Sequence, residues 1–366
     1  MRDIVTRMYQ AVPSGVGSSR RDLRLSTRDL TGVLEQGAAW AVRRGLGVTA
    51  DLDHIEEGGC LRPADPGLVS ARARERGQPQ LGTLGSGNHF AEVQYVSEIY
   101  DETIASAFGL TLDQVTVMIH SGSRGLGHQV CEDHLRVMVQ ASRKHGISLP
   151  DRQLCCAPIR SPEGQAYLGA MAAAANFAFA NRQVMSHWVR ESFQAALGLP
   201  PARLQLDVVY DVCHNIAKFE TFRVDGVERR LCVHRKGATR AYPPGHPDIP
   251  AAYRSVGQPV LIPGDMGRYS YVLAGTALAF EQTFGSTCHG AGRRMSRHEA
   301  KRAVRGRSLI AEMEERGVVV MAAGMGTVAE EMPEAYKDVA DVVGVVAGAG
   351  ISRLVARLKP MGVIKG

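Results

Sequence analysis

At 366 residues and 39.5 kDa the chain can bury a substantial core, and 45% hydrophobic with 22% charged residues is ordinary for a globular protein. No apolar stretch reaches the roughly 18 residues of a membrane span, the N-terminal MRDIVTRMYQAVPSGVGSS lacks a continuous apolar signal core, and seven cysteines do not make an even disulfide framework. A cytoplasmic protein with reduced thiols and no membrane partner is expected. The formal charge of +6 fits an anionic partner, and it rests on arginine, since only seven of the 43 cationic residues are lysine. Arginine's planar fork suits phosphate, although genome composition accounts for the same bias.

In chain order, the polar stretch Asp51 to Gln80 reads as an exposed loop or boundary. QVTVMIHSGS, residues 114 to 123, reads as a buried strand entering a Gly and Ser turn, and HQVCEDHLRVMVQASRK as the amphipathic helix after it. The alanine-rich segment Glu163 to Leu197 predicts a long central helix. RLQLDVVYDV predicts a strand, and FETFRVDGVERRLCVHR a hairpin turning at Asp225 and Gly226. QPVLIPG, SYVLAG and GVVVMAA extend the list of strands. Hairpins and intervening helices together argue for a mixed sheet in an α/β or α+β domain. No Gly-x-Gly-x-x-Gly or Gly-Lys-Ser/Thr phosphate loop is present, which disfavours the two commonest nucleotide-binding folds.

Four histidines sit where predicted strands give way to turns beside Gly, Ser or Asn: His89, His120, His214 and His289. Singly, each is more often structural; together they form a candidate metal or catalytic set. Of four glycine-rich turns, LGTLGSGNHF, HSGSRGLG, IPGDMG and HGAGRRMSR, three carry or adjoin His or Arg, and backbone N–H groups beside such side chains suit an oxyanion. The alternative is four ordinary turns in a chain of 40 glycines.

GTLGSGNHFAEVQ, HSGSRGLGHQV, HNIAKFE, VHRKGATRAYPPG, HGAGRRMSR, EAYKDVADVV and GVIKG together resemble the RtcB family of RNA ligases, in order from about Val12 to the last residue. The resemblance implies a single catalytic domain over 1–366 with a large mixed sheet, a long central helix and a deep cleft. It implies a Mn²⁺-dependent, GTP-consuming enzyme that joins RNA 2′,3′-cyclic phosphate or 3′-phosphate ends to 5′-hydroxyl ends in tRNA splicing or RNA repair. His289 would hold GMP as a phosphoramidate; Asn88, Glu92, Ser270, Ala291, Gly292, Arg293, Tyr336 and Lys365 would contact GTP, with Glu92 reading guanine. His89, His120 and His214 would hold two manganese ions. Arg124, Arg235, Lys236 and Arg240 are candidates for the RNA phosphates, or for solvated basic turns. An activating protein partner is left open.

Two features depart from the family pattern. The family's metal-binding Asp-x-Gly-Cys-Gly segment is missing, so the chain looks truncated at its N-terminus, and Asp265 stands where a serine near GTP is usual. Both favour one alternative, a weakly active or inactive paralogue that binds RNA ends or GTP; another, a metal-dependent phosphoesterase built from the same histidines, is opposed by the presence of Glu92 and Lys365.

Overall fold

The computed structural model describes all 366 residues. Helices α1 (Arg2–Ala11), α2 (Thr27–Gln36), α3 (Ala38–Arg43), α4 (Ala71–Gly77), α5 (Glu102–Ala107), α6 (Arg124–Lys144) and α7 (Pro162–Leu197) precede most of the strands. The strands are β1 (Phe90–Ile99), β2 (Val115–His120), β3 (Asn215–Val224), β4 (Val227–Lys236), β5 (Ala238–Arg240), β6 (Pro259–Ile262), β7 (Ser270–Gly275), β8 (Ser286–Cys288), β9 (Val319–Ala322) and β10 (Ser352–Lys365). The main sheet runs β2-β1-β10-β7-β6, and β9 also pairs with β10, in parallel. This is the mixed α+β class that the patterning predicts. No helix is long and apolar enough to cross a membrane.

Helix α7 starts at Ser161, whose side chain accepts from the Gly164 N–H, with Pro162 at the first helical position, and it stops at Gly198 in the left-handed region. Its alanines let α1, α2, α3 and α6 pack closely against it. On one sheet face Ala91, Val93 and Ile364 join Val5, Met8 and Met185 of α1 and α7 in one core; on the other, Phe90, Met118 and Val363 join a larger one. The alternation of neighbours along β1 between these cores is the period of two of a strand. The β3–β4 hairpin turns as predicted, with Asp225 at φ 50° and Gly226 at φ 77°.

Three expectations fail. RLQLDVVYDV is not a strand: after a single helical turn ending at Leu204 its backbone makes only the lone bridge of Ile55 to Asp211, and it runs along the cleft wall. Residues 51–80 are not an exposed loop. They form short 3₁₀ turns and α4, and two of their carboxylates point inward, Asp51 accepting from Arg190 at 2.7 Å and Glu56 from Lys218 at 2.9 Å, while Asp53, Arg62, Asp65, Arg72 and Glu75 stay exposed. Strand β2 is only partly buried, because it lies at the sheet edge.

Four strands had no forecast: β1, the 14-residue β10, and the three-residue β5 and β8. Pro360 argues against a central strand because it cannot donate to a ladder. It is tolerated where the β1–β10 register slips, between Val93 opposite Gly362 and Gln94 opposite Pro360.

Candidate active site

Strand ends place the four histidines: His89 precedes β1, His120 ends β2, His214 precedes β3 and His289 follows β8. They stand in a line, with ring centroids 5.6 Å apart for His89–His120, 5.1 Å for His120–His214 and 4.5 Å for His214–His289, the last pair stacked. Helix α7 holds two of the loops. Asn181 Oδ1 accepts from the N–H groups of Gly82 (2.7 Å) and Thr83 (3.2 Å), and its Nδ2 donates to the carbonyls of Thr83 (3.1 Å) and Gly122 (3.2 Å). Next to it, Arg182 donates to the Ser121 carbonyl at 3.1 Å and to Asp211 at 2.7 Å. Neither residue was singled out in the sequence; the buried polar Asn in an alanine-rich helix was the available signal.

Burial keeps the imidazoles neutral. It lowers His89 to about 4 and His214 to about 3, with neighbouring cations and rings adding to the effect, and it pushes His120 well below its ordinary value. His289 is lowered by burial too, against an opposing pull from the Gly237 backbone. Glycine suits Gly237 because its φ of +66° strains a side chain, although a Cβ there would stand at an ordinary contact distance of 3.4 Å from the His289 ring. At Gly85, with φ +99°, a Cβ would come within 2.1 Å of Arg124 Nη1 and 2.4 Å of His89 Nδ1.

The chemistry of these donors suits a divalent cation: the rings are neutral, and buried His89 Nδ1 has no hydrogen-bond partner. A closed donor set is not formed, since no three His, Cys, Asp or Glu side chains are drawn together around one point. Asp211 and Cys213 line the same cleft but do not complete it. Asp211 is engaged by Arg182, and burial holds the Cys213 thiol up at about 12.

The expected residues fall into two groups. A cleft of about 1320 Å³ is lined by Asn88, His89, His120, His214, His289, Arg124 and Lys236. Arg124 sits at φ 55° at the start of α6 and donates to Thr83 Oγ1 (2.9 Å) and Ser18 Oγ (3.1 Å), both neutral. Burial, with no carboxylate offsetting it, lowers its pKa to about 10. Lys236 is exposed, and its charge is felt by both His214 and His289.

Arg235 and Arg240 correct the sequence reading, because they face inward. Arg235 forms a bidentate pair with Glu220 at 2.8 and 2.7 Å, and Arg240 lies 3.0 Å from Glu57 and 3.3 Å from Glu56. Each guanidinium is enclosed by protein, so neither is a solvated basic turn, and Arg235 borders the cleft from within its wall.

The second group lies behind the cleft. Glu92 is buried on β1 and accepts from Gln94 Nε2 at 2.6 Å, which also donates to Ser270 Oγ at 3.0 Å. Gln94 itself lines the cleft and so joins the groups. Burial raises Glu92 to about 8 and Asp265 to about 6. Ala291 is buried and Gly292 exposed, and Arg293 makes a backbone bridge to Tyr336, joining motifs far apart in sequence. Lys365 is buried opposite Phe90 in the β1–β10 register.

An α+β protein with neutral imidazoles and unpaired cations in one cleft is equipped for phosphate chemistry. The family model described as "RtcB: tRNA-splicing ligase RtcB" matches residues 1–366. Proteins named tRNA-splicing ligase RtcB align over all of this chain and 76% of their own length: 58% identical in Archaeoglobus fulgidus, 56% in Thermococcus kodakarensis and 53% in Methanococcus maripaludis. The chain belongs to the RtcB family.

Proposed function

We propose that this chain is an RNA ligase of tRNA splicing or RNA repair that joins 2′,3′-cyclic phosphate or 3′-phosphate ends to 5′-hydroxyl ends, using GTP. The observation that carries the reading is the line of four neutral histidines ending in His289, beside Arg124 and Lys236 in one cleft. A ring nitrogen of His289 forms a bond to the α-phosphorus of GTP, the bond to the bridging oxygen breaks, and pyrophosphate leaves. A neutral ring supplies the electron pair without a separate base, and stacking on His214 restrains its orientation. Arg124 and Lys236 receive the phosphate of the RNA end.

Glu92 as a carboxylate accepts from N1–H and the 2-amino group of guanine, which adenine cannot match. Asn88, Ala291, Gly292 and Tyr336 border the nucleotide, and Ser270 with Gln94 fixes the Glu92 side chain. Asp265, close enough to raise the Glu92 pKa, disfavours a second negative charge there. His89, His120 and His214 would hold manganese, which when bound supplies Lewis-acid activation of phosphate.

The test is incubation with α-labelled GTP and Mn²⁺, followed by mapping of the adduct. Label on a residue other than His289, or undiminished labelling of His289→Ala, sinks the assignment. A second reading, an RNA-end or GTP binder with little turnover, draws on Arg293. Four of its N–H directions go to Met295, Glu331, Tyr336 and Glu330, which leaves little for a phosphate. GTP binding without adduct formation would favour it.

A further inference from the structure

No sequence motif pointed to Glu331, and the reading above gives it no role. It follows the Met325–Glu330 helix and is 2% exposed. Three groups from separate parts of the chain converge on its carboxylate. Arg293 Nη1 donates to Oε1 at 3.1 Å, Lys365 Nζ lies 3.5 Å from Oε2, and the Tyr336 hydroxyl donates to Oε2. Arg293 Nη1 also donates to the Tyr336 oxygen at 3.2 Å, which closes the cluster.

Two cations meet this one carboxylate, and Lys365 also feels the charge of Glu92. Glu331 itself is walled in by its partners and the protein, so it acts through them. Its two oxygens divide the work: Oε1 orients the Arg293 fork, while Oε2 joins the Tyr336 hydroxyl to the Lys365 ammonium at the end of β10.

We propose that Glu331 is the positioning residue of the nucleotide site, its buried carboxylate fixing Arg293, Tyr336 and Lys365 relative to one another and thereby setting affinity for the guanine nucleotide. The inference rests on the reading that these three residues contact GTP.

The experiment uses the full chain as wild type, Glu331→Gln, Tyr336→Phe, Lys365→Met and the last two combined. Equilibrium GTP binding, the rate of GMP transfer at saturating GTP, and thermal melting are measured for each. Loss of one charge-assisted anchor predicts GTP binding about tenfold weaker in Glu331→Gln. The melting midpoint should fall, because the change leaves Arg293 and Lys365 without their carboxylate, but the saturated transfer rate should change little, whereas a merely structural lesion would lower that rate as well. Wild-type affinity in a folded Glu331→Gln protein overturns the proposal, as does a saturated rate that falls as far as the affinity.

If Glu331→Gln does not fold, the other variants decide. Tyr336 and Lys365 are linked through Glu331 Oε2, so their combined effect should fall short of the product of the single effects by about threefold or more. Effects that simply multiply overturn the proposal. A wild-type chain that binds no GTP is a separate result: it removes the nucleotide-site reading, and this inference with it.

Discussion

Glu220→Gln is the sharpest test of the claim that Arg235 holds the fold rather than RNA. The change keeps side-chain volume and removes the charge that Arg235 meets through two bonds of 2.8 and 2.7 Å, with both side chains buried. Breaking a buried ion pair by removing one partner costs about 3–5 kcal/mol, because the other charge is left uncompensated. Arg235 would keep three neutral acceptors, Ser286 Oγ and the Phe284 carbonyl, each at 2.9 Å, and the Gly285 carbonyl at 3.4 Å, which places the cost near the lower end, about 3 kcal/mol. Against a typical total of about 5–15 kcal/mol that is a large fraction, and denaturant midpoints compared at equal slope would read it. The double change Glu220→Leu with Arg235→Met should recover most of the loss, since an apolar pair leaves no stranded charge. GMP transfer should fall with stability, because Arg235 ties β4 to Ser286 at the start of β8, the strand that delivers His289. A wild-type midpoint in Glu220→Gln, or an Arg235→Met protein that keeps its stability while losing RNA-end binding, would refute the reasoning.

Binding of GTP should strengthen as pH rises toward about 8, because burial holds Glu92 protonated below that value and the guanine contact needs its carboxylate. Calorimetry in buffers of different ionisation enthalpy should show proton release on binding, absent in Glu92→Gln; a flat pH profile in wild type speaks against Glu92. The same raised pKa means that the nucleotide-free protein loses stability as pH climbs from the ordinary glutamate range through about 8, a slope that Glu92→Gln should remove. Arg124→Met should weaken binding of RNA 3′-phosphate ends while leaving stability unchanged or raised, because it removes a buried cation with only neutral partners. Lower stability with unaltered RNA binding would count against the phosphate role. Asn181→Ala should cost at least about 2 kcal/mol by stranding the backbone groups it serves and should disturb the His89 and His120 loops; chemical denaturation and histidine NMR shifts would show whether either effect is missing.

The local patterns in the sequence determined the long α7, the β3–β4 hairpin and the four strand-end histidines. Each rests on short-range chemistry: alanine's helix propensity with a Ser-Pro start, an Asp-Gly turn that accepts positive φ, and imidazoles beside glycines. The motifs also carried the family, since seven ordered segments require no knowledge of packing. Tertiary structure decided which charges are free. Arg124 and Arg235 sit in similar basic stretches of sequence, yet one is left with neutral partners and the other reaches past Ile216, its register partner, to Glu220 four residues further along the facing strand. It also turned Asp51 and Glu56 of the polar 51–80 stretch inward, made a strand through Pro360 by slipping the register, and left RLQLDVVYDV unpaired because a strand needs a neighbour. Glu331 shows the same division: Tyr336 is five residues away, but Arg293 and Lys365 lie on distant segments that only folding brings onto its carboxylate.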